Sequence, residues 1–123
     1  MSFRSVLIAA VGGLGLLGGC ADVDDRPAKF DYIVAAILRP GCATANCHDA
    51  MTRRQGLDFS TVAAAGATVD NEGLVPIGGG DPADTQLIFL LTTDGDKRMP
   101  LDGPLPDADI QLISAWIMDG AVH

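Results

Sequence analysis

Gly41-Cys42-Ala43-Thr44-Ala45-Asn46-Cys47-His48-Asp49 is the segment on which the rest of the chain turns. It holds two of the three cysteines and one of the two histidines of a 123-residue chain. Four small residues separate the two thiols, and His48 follows the second directly. Upstream, Phe30, Ile33, Val34, Ile37 and Leu38 recur at three- and four-residue steps, which predicts one apolar face of a helix starting near Pro27. Asp24 and Asp25 before it and Arg39 at its end suit the helix dipole, and Pro40-Gly41 predicts its stop. Downstream, residues 56–59 read as a connector and Ser60 as the N-cap of a short Ala-rich helix over 61–65. Residues 66–80 read as loop. Asp81-Pro82 predicts the next helix start, with Leu87, Ile88, Leu90 and Leu91 facing inward. Residues 92–103 are loop again, and a last helix from Pro106 or Asp107 turns Ile110, Ile113, Trp116 and Ile117 inward. No strand pattern is present. The expected fold class is all-α, about four short helices with long loops. The Gly78–Gly80 run is a weak phosphate-loop candidate, since no lysine follows it and Asp81 would repel an anion.

The N-terminus reads MSFRSVLIAAVGGLGLLGGC. Arg4 followed by an apolar stretch over 6–17 has the form of a secretory signal, and the stretch is too short to span a bilayer. Leu17-Gly18-Gly19-Cys20 resembles a bacterial lipobox, which implies a lipoprotein signal peptide over residues 1–19 and a lipidated Cys20. Residues 20–26 then form a polar tether and 27–123 the folded domain. Export places the domain in an oxidising periplasm. Ala21, where enterobacterial inner-membrane retention calls for Asp, slightly favours an outer-membrane anchor. The formal net charge is −8, with 16 acidic against 8 basic residues. That balance excludes a general nucleic-acid binder and suits protein partners with a basic docking face. Fifteen glycines, seven prolines and 5% aromatics make a thin core, so the fold is loop-rich or a prosthetic group fills its centre.

Three chemistries are open to C-x4-C-H. Cys42 and Cys47 can form a disulfide in an oxidising compartment, stapling a lipoprotein interaction module. They can bind zinc with His48, although the only other histidine is His123 at the chain end. Or they can hold haem covalently, as C-x2-C-H does: two thiols take the two vinyl groups and the adjacent histidine is carried to the iron. The second cysteine and the histidine must adjoin, while the first thiol need only reach, so residues 43–46 can loop out. A six-coordinate iron needs a second ligand, often a Met thioether on a loop before the last helix. Met99, in Lys97-Arg98-Met99-Pro100, has that position. Met51 is too near His48, and Met118 reads as a half-exposed packing residue. An open distal position would instead make a haem-based sensor. Arg39, Lys97 and Arg98 are possible charge partners of haem propionates or of an acidic partner. Trp116 reads as the core anchor of the last helix rather than a propionate donor, and His123 as a frayed end. No nucleophile–base pair stands out, so a carrier is expected and not an enzyme.

ILRPGCATANCHD (37–49), GLDFST (56–61), GGGDPADTQLIFLL (78–91), RMPLDGPLPDADI (98–110) and QLISAWIMDGA (111–121) together carry a resemblance. They resemble the small c-type cytochrome domains of exported bacterial proteins, the planctomycete-type group with expanded haem motifs. The resemblance spans about residues 30–121. It implies a cytochrome c-like bundle around one covalent haem c, held by Cys42 and Cys47, with His48 as proximal and Met99 as distal iron ligand. It also implies single-electron transfer between redox proteins at the periplasmic face of a membrane. The sequence departs from the pattern in its four-residue spacing and in Pro106, where the family often has a capping serine.

Overall fold

Phe30, Ile33, Val34, Ile37 and Leu38 are buried along one side of a single helical rod, α1 (residues 30–42). It opens the fold in a computed structural model, which describes residues 24–123. The apolar segment 6–17 and Cys20 lie outside the described residues. Helix α1 joins an α-helical turn Phe30–Ile33, a π-helical turn Val34–Leu38 and an α-helical turn Arg39–Cys42. The stop expected at Pro40-Gly41 therefore does not occur. In a regular helix the Pro40 ring would meet the carbonyl of residue 36. The π turn, with Arg39 N–H donating five residues back to Val34 O, widens the rod just before the proline. The helix continues to Cys42, and Ala43 N–H closes it on the carbonyls of Leu38 (3.3 Å) and Arg39 (3.1 Å).

Helix α2 is Val62–Asn71, longer than expected and capped by Thr61 instead of Ser60. Thr61 Oγ1 accepts from Ala64 N–H at 3.1 Å, while the Ser60 hydroxyl is committed to Asp58 at 2.6 Å. Ala65, Gly66, Thr68 and Val69 make its buried face. Gly66 disfavours a helix in the sequence, but a Cβ there would lie 2.8 Å from the His123 ring, so the close approach needs glycine. The helix expected from Asp81-Pro82 is split. Asp81 caps a 3-10 turn, Pro82–Asp84, and Thr85 breaks away at ψ 143° before capping α3, Gln86–Thr92. Thr85 Oγ1 donates to Pro82 O at 2.8 Å and accepts from Ile88 N–H at 3.3 Å, which makes the break a double cap. Leu87, Ile88 and Leu91 are buried and Leu90 is partly so. Helix α4, Asp107–Met118, starts where expected, with Asp107 and Asp109 in its first turn.

Among the described residues there are four helices and no strand, so the all-α class stands. None of these helices is long and apolar enough to cross a membrane. Helix α4 packs against α1 and α3, and α1 against α2. Ile33, Leu38, Ile113 and Ile117 lie at the centre of this packing, fully buried. Trp116 stacks on Phe30 at 5.0 Å between ring centroids, and its indole N–H donates to Val122 O at 2.9 Å. It is the core anchor of α4. His123 is not frayed: its ring lies 4.8 Å from Phe30, and Nε2 is 3.1 Å from Asp70. The Gly78–Gly80 run bonds to backbone: Gly80 N–H donates to Ile117 O at 3.3 Å, and all three glycines have positive φ. The run seals the C-terminal end of α4.

Candidate functional site

Cys42 is the last residue of α1, so a helix anchored in the core by Phe30 to Leu38 fixes one thiol. The chain then doubles back through residues 43–48. Cys47 N–H donates to Thr44 O and His48 N–H to Cys42 O, both at 3.0 Å. Asn46 takes the left-handed conformation at φ 69°, which asparagine tolerates better than most residues. The loop expected between the thiols is thus closed by its own backbone, and it brings Cys42, Cys47 and His48 onto one wall. Met99 arrives on the long segment between α3 and α4. Its N–H donates to Leu90 O at 2.8 Å, and the 3-10 turn Gly95–Lys97 precedes it. One cavity of about 400 Å³ is lined by Cys42, Cys47, His48 and Met99, together with Gly41, Arg54 and Leu101 among others. That lies within the range of about 300–1,000 Å³ typical of cofactor sites. Met51 and Met118 take no part in it and are 91% and 65% exposed.

His48 Nδ1 lies 2.9 Å from the carbonyl oxygen of Arg54. A carbonyl only accepts, so Nδ1 carries the proton and Nε2 keeps a lone pair free for a metal. The edge of Phe59 meets the imidazole at 90° with centroids 5.9 Å apart, and Phe59 N–H donates to His48 O at 2.9 Å. Arg54 and Phe59 were not singled out from sequence. The hold on His48 is a backbone carbonyl, and no residue type announces one.

Both thiols are free. Burial, and secondarily the neighbouring Cys47, pushes the Cys42 thiol up to about 11. Among the described residues no three His, Cys, Asp or Glu side chains converge as an ion-holding group. The donor set fits haem better: two unpaired thiols, an adjacent imidazole with a free Nε2, and a thioether on the same cavity. Arg98, one residue before Met99, has a buried Nε with no hydrogen-bond partner, an unsatisfied cationic donor next to this set. Arg39 and Lys97 are exposed. Comparison of the chain with protein-family models, with curated proteins and with solved structures returns no match.

Proposed function

We propose that the chain is a monohaem c-type cytochrome lipoprotein that carries single electrons between redox proteins at the periplasmic face of a bacterial membrane. The observation that carries this reading is the shared cavity of Cys42, Cys47, His48 and Met99. Bound there, haem c supplies an iron that accepts and returns one electron. Cys42 and Cys47 would hold its vinyl groups as thioethers, His48 Nε2 would ligate the iron as proximal ligand, and the Met99 sulfur would be the distal ligand. The Arg54 carbonyl keeps the proton on Nδ1. The Leu90 carbonyl holds the backbone of Met99 beside the cavity. Thioether sulfur is soft and favours ferrous iron, and a buried setting favours the less charged state. No nucleophile–base pair stands out in the sequence, so transfer and not catalysis is the reading. The acidic surface suits partners with a basic docking face.

The absorption spectrum of the periplasmically matured protein tests this, with Met99→Ala beside it. The wild-type protein is expected to show six-coordinate, low-spin haem. Met99→Ala should keep the haem covalently, lower its potential and turn it high-spin. Met118→Ala, on the exposed side of α4, should change neither. A five-coordinate wild type, or a Met99→Ala protein with an unaltered spectrum, would favour a ligand-binding sensor instead. The anchor has its own test. A fatty-acid analogue fed to cells should label the protein, and Cys20→Ser should abolish the label. Unmodified Cys20 on soluble periplasmic protein would refute the lipoprotein reading.

A further inference from the structure

Arg53 (φ 43°) and Gln55 (φ 56°) both sit in the left-handed region, on either side of Arg54. Side chains other than glycine meet a steric penalty there, and they keep that conformation only where surrounding contacts over-determine it. The turn they build presents the Arg54 carbonyl, which accepts from His48 Nδ1–H at 2.9 Å and from Leu57 N–H at 3.1 Å. Its contacts are few. Arg53 N–H donates to Asp49 O and Arg54 N–H to Cys47 O, both at 3.0 Å. Those partners belong to the same stretch as His48. The third contact does not: Arg53 Nε lies 3.3 Å from Asp58 Oδ2.

Asp58 is fixed from elsewhere. Its N–H donates to Thr68 Oγ1, and its carbonyl accepts from that hydroxyl, both at 3.0 Å, which ties it to the buried face of α2. Its Oδ1 accepts from Ser60 N–H at 2.9 Å and Ser60 Oγ–H at 2.6 Å. Asp58 is 6% exposed, and the hydrogen bonds of Ser60, then Arg53, hold its carboxyl below the usual range, ionised at neutral pH. The next residue, Phe59, touches His48 through both backbone and ring. A rigid helix, a buried carboxylate, a strained turn and an imidazole thus form one series of contacts.

We propose that Asp58 is a positioning residue for His48: its ion pair with Arg53 keeps the left-handed turn closed, so that the Arg54 carbonyl holds Nδ1–H and leaves Nε2 for the cavity. This rests on the cytochrome reading only for the use made of Nε2. A carbonyl on Nδ1–H also makes the imidazole a stronger donor, which favours ferric iron. Loosening the turn should therefore raise the potential.

The test compares wild type, Asp58→Asn, Arg53→Ala and Arg53→Lys, matured and ¹⁵N-labelled. Three quantities are read well below the thermal midpoints: solvent exchange of the His48 Nδ1 proton, the reduction potential and the midpoint itself. Asp58→Asn and Arg53→Ala should speed that exchange about tenfold, the scale on which outer-shell partners of metal ligands act, and shift the potential upward. Arg53→Lys, which keeps a cation, should stay near wild type. Asp58→Asn could lose stability for other reasons, but the Arg53 side chain is 61% exposed, so Arg53→Ala keeps the fold. A lower midpoint in Asp58→Asn with exchange and potential unchanged in Arg53→Ala would overturn the proposal and leave a structural staple. Colourless wild-type protein in which Arg53→Ala still frees the Nδ1 proton would overturn the cytochrome reading and keep the positioning role.

Discussion

Cys47→Ala, matured alongside the wild-type chain, is expected to lose most of its covalently retained haem, measured by haem staining after denaturing electrophoresis. The argument is positional. Cys47 and His48 are adjacent, and the Cys42 carbonyl and Arg54 N–H fix the backbone around them. A thioether at Cys47 therefore registers the ring over His48, whereas Cys42 has only to reach the second vinyl from the end of α1. Cys42→Ala should accordingly retain more haem than Cys47→Ala. Both thiols are free, which leaves the pair available for thioether formation. A colourless wild-type protein with an intact 42–47 disulfide would end the cytochrome reading.

Gly79→Ala should be among the most damaging single substitutions in the domain, although it touches no part of the cavity. A Cβ at Gly79 would lie 2.1 Å from Ile117 O and 2.9 Å from Gly120 Cα. Both are backbone atoms, so no rotamer change relieves the overlap. The φ of 76° adds about 1–2 kcal/mol for any residue with a Cβ. Displacing the loop would also break the Gly80 bond to Ile117 O, which seals the end of α4. A loss of about 3 kcal/mol or more is expected, which lowers the thermal midpoint by roughly 12–24 °C in a domain of this size. Gly78→Ala makes the matching control. Its φ is 87°, but a Cβ there meets nothing within 4 Å, so only the conformational penalty remains. Equal midpoints for the two variants would show that the loop does not press on α4 as described.

Residue type made half of the site legible. Cys42, Cys47, His48 and Met99 are rare in this chain and chemically distinct, so spacing and position singled them out, and the fold brings all four to one cavity. The supporting parts were hidden for a physical reason. The hold on His48 is the carbonyl of Arg54, in a turn whose left-handed residues are Arg53 and Gln55, neither of which signals positive φ. Asp58 read as part of a connector, because its importance comes from burial and from Thr68, ten residues away. The helices showed the same division. Apolar spacing found α1, α3 and α4. It missed the second half of α2, since Gly66 breaks the pattern and is explained only by the His123 ring pressing on it. Thr85 looked like helix interior until its hydroxyl was seen bonding in both directions.

The π-helical turn Val34–Leu38 sets the phase of everything that follows it. In an ordinary helix each residue advances the chain by about 100° and 1.5 Å. A wide turn is equivalent to one residue inserted into a regular rod, and such turns recur at functional sites. Phe30 and Ile33, ahead of the turn, keep step with the buried core, while Gly41 and Cys42, behind it, keep step with the cavity. Gly41 is also the point where a Cβ would come within 3.4 Å of Leu105, on the segment that carries Met99 to α4. Deleting Ala35 or Ala36, both exposed, would restore uniform pitch and leave the buried face almost untouched. Because the wide turn absorbs the extra residue, Cys42 would stay in phase with the core, but the Pro40 ring would meet the carbonyl four residues before it. The one surplus residue between core and cavity is therefore what lets a proline ride inside this helix without bending it away from the site.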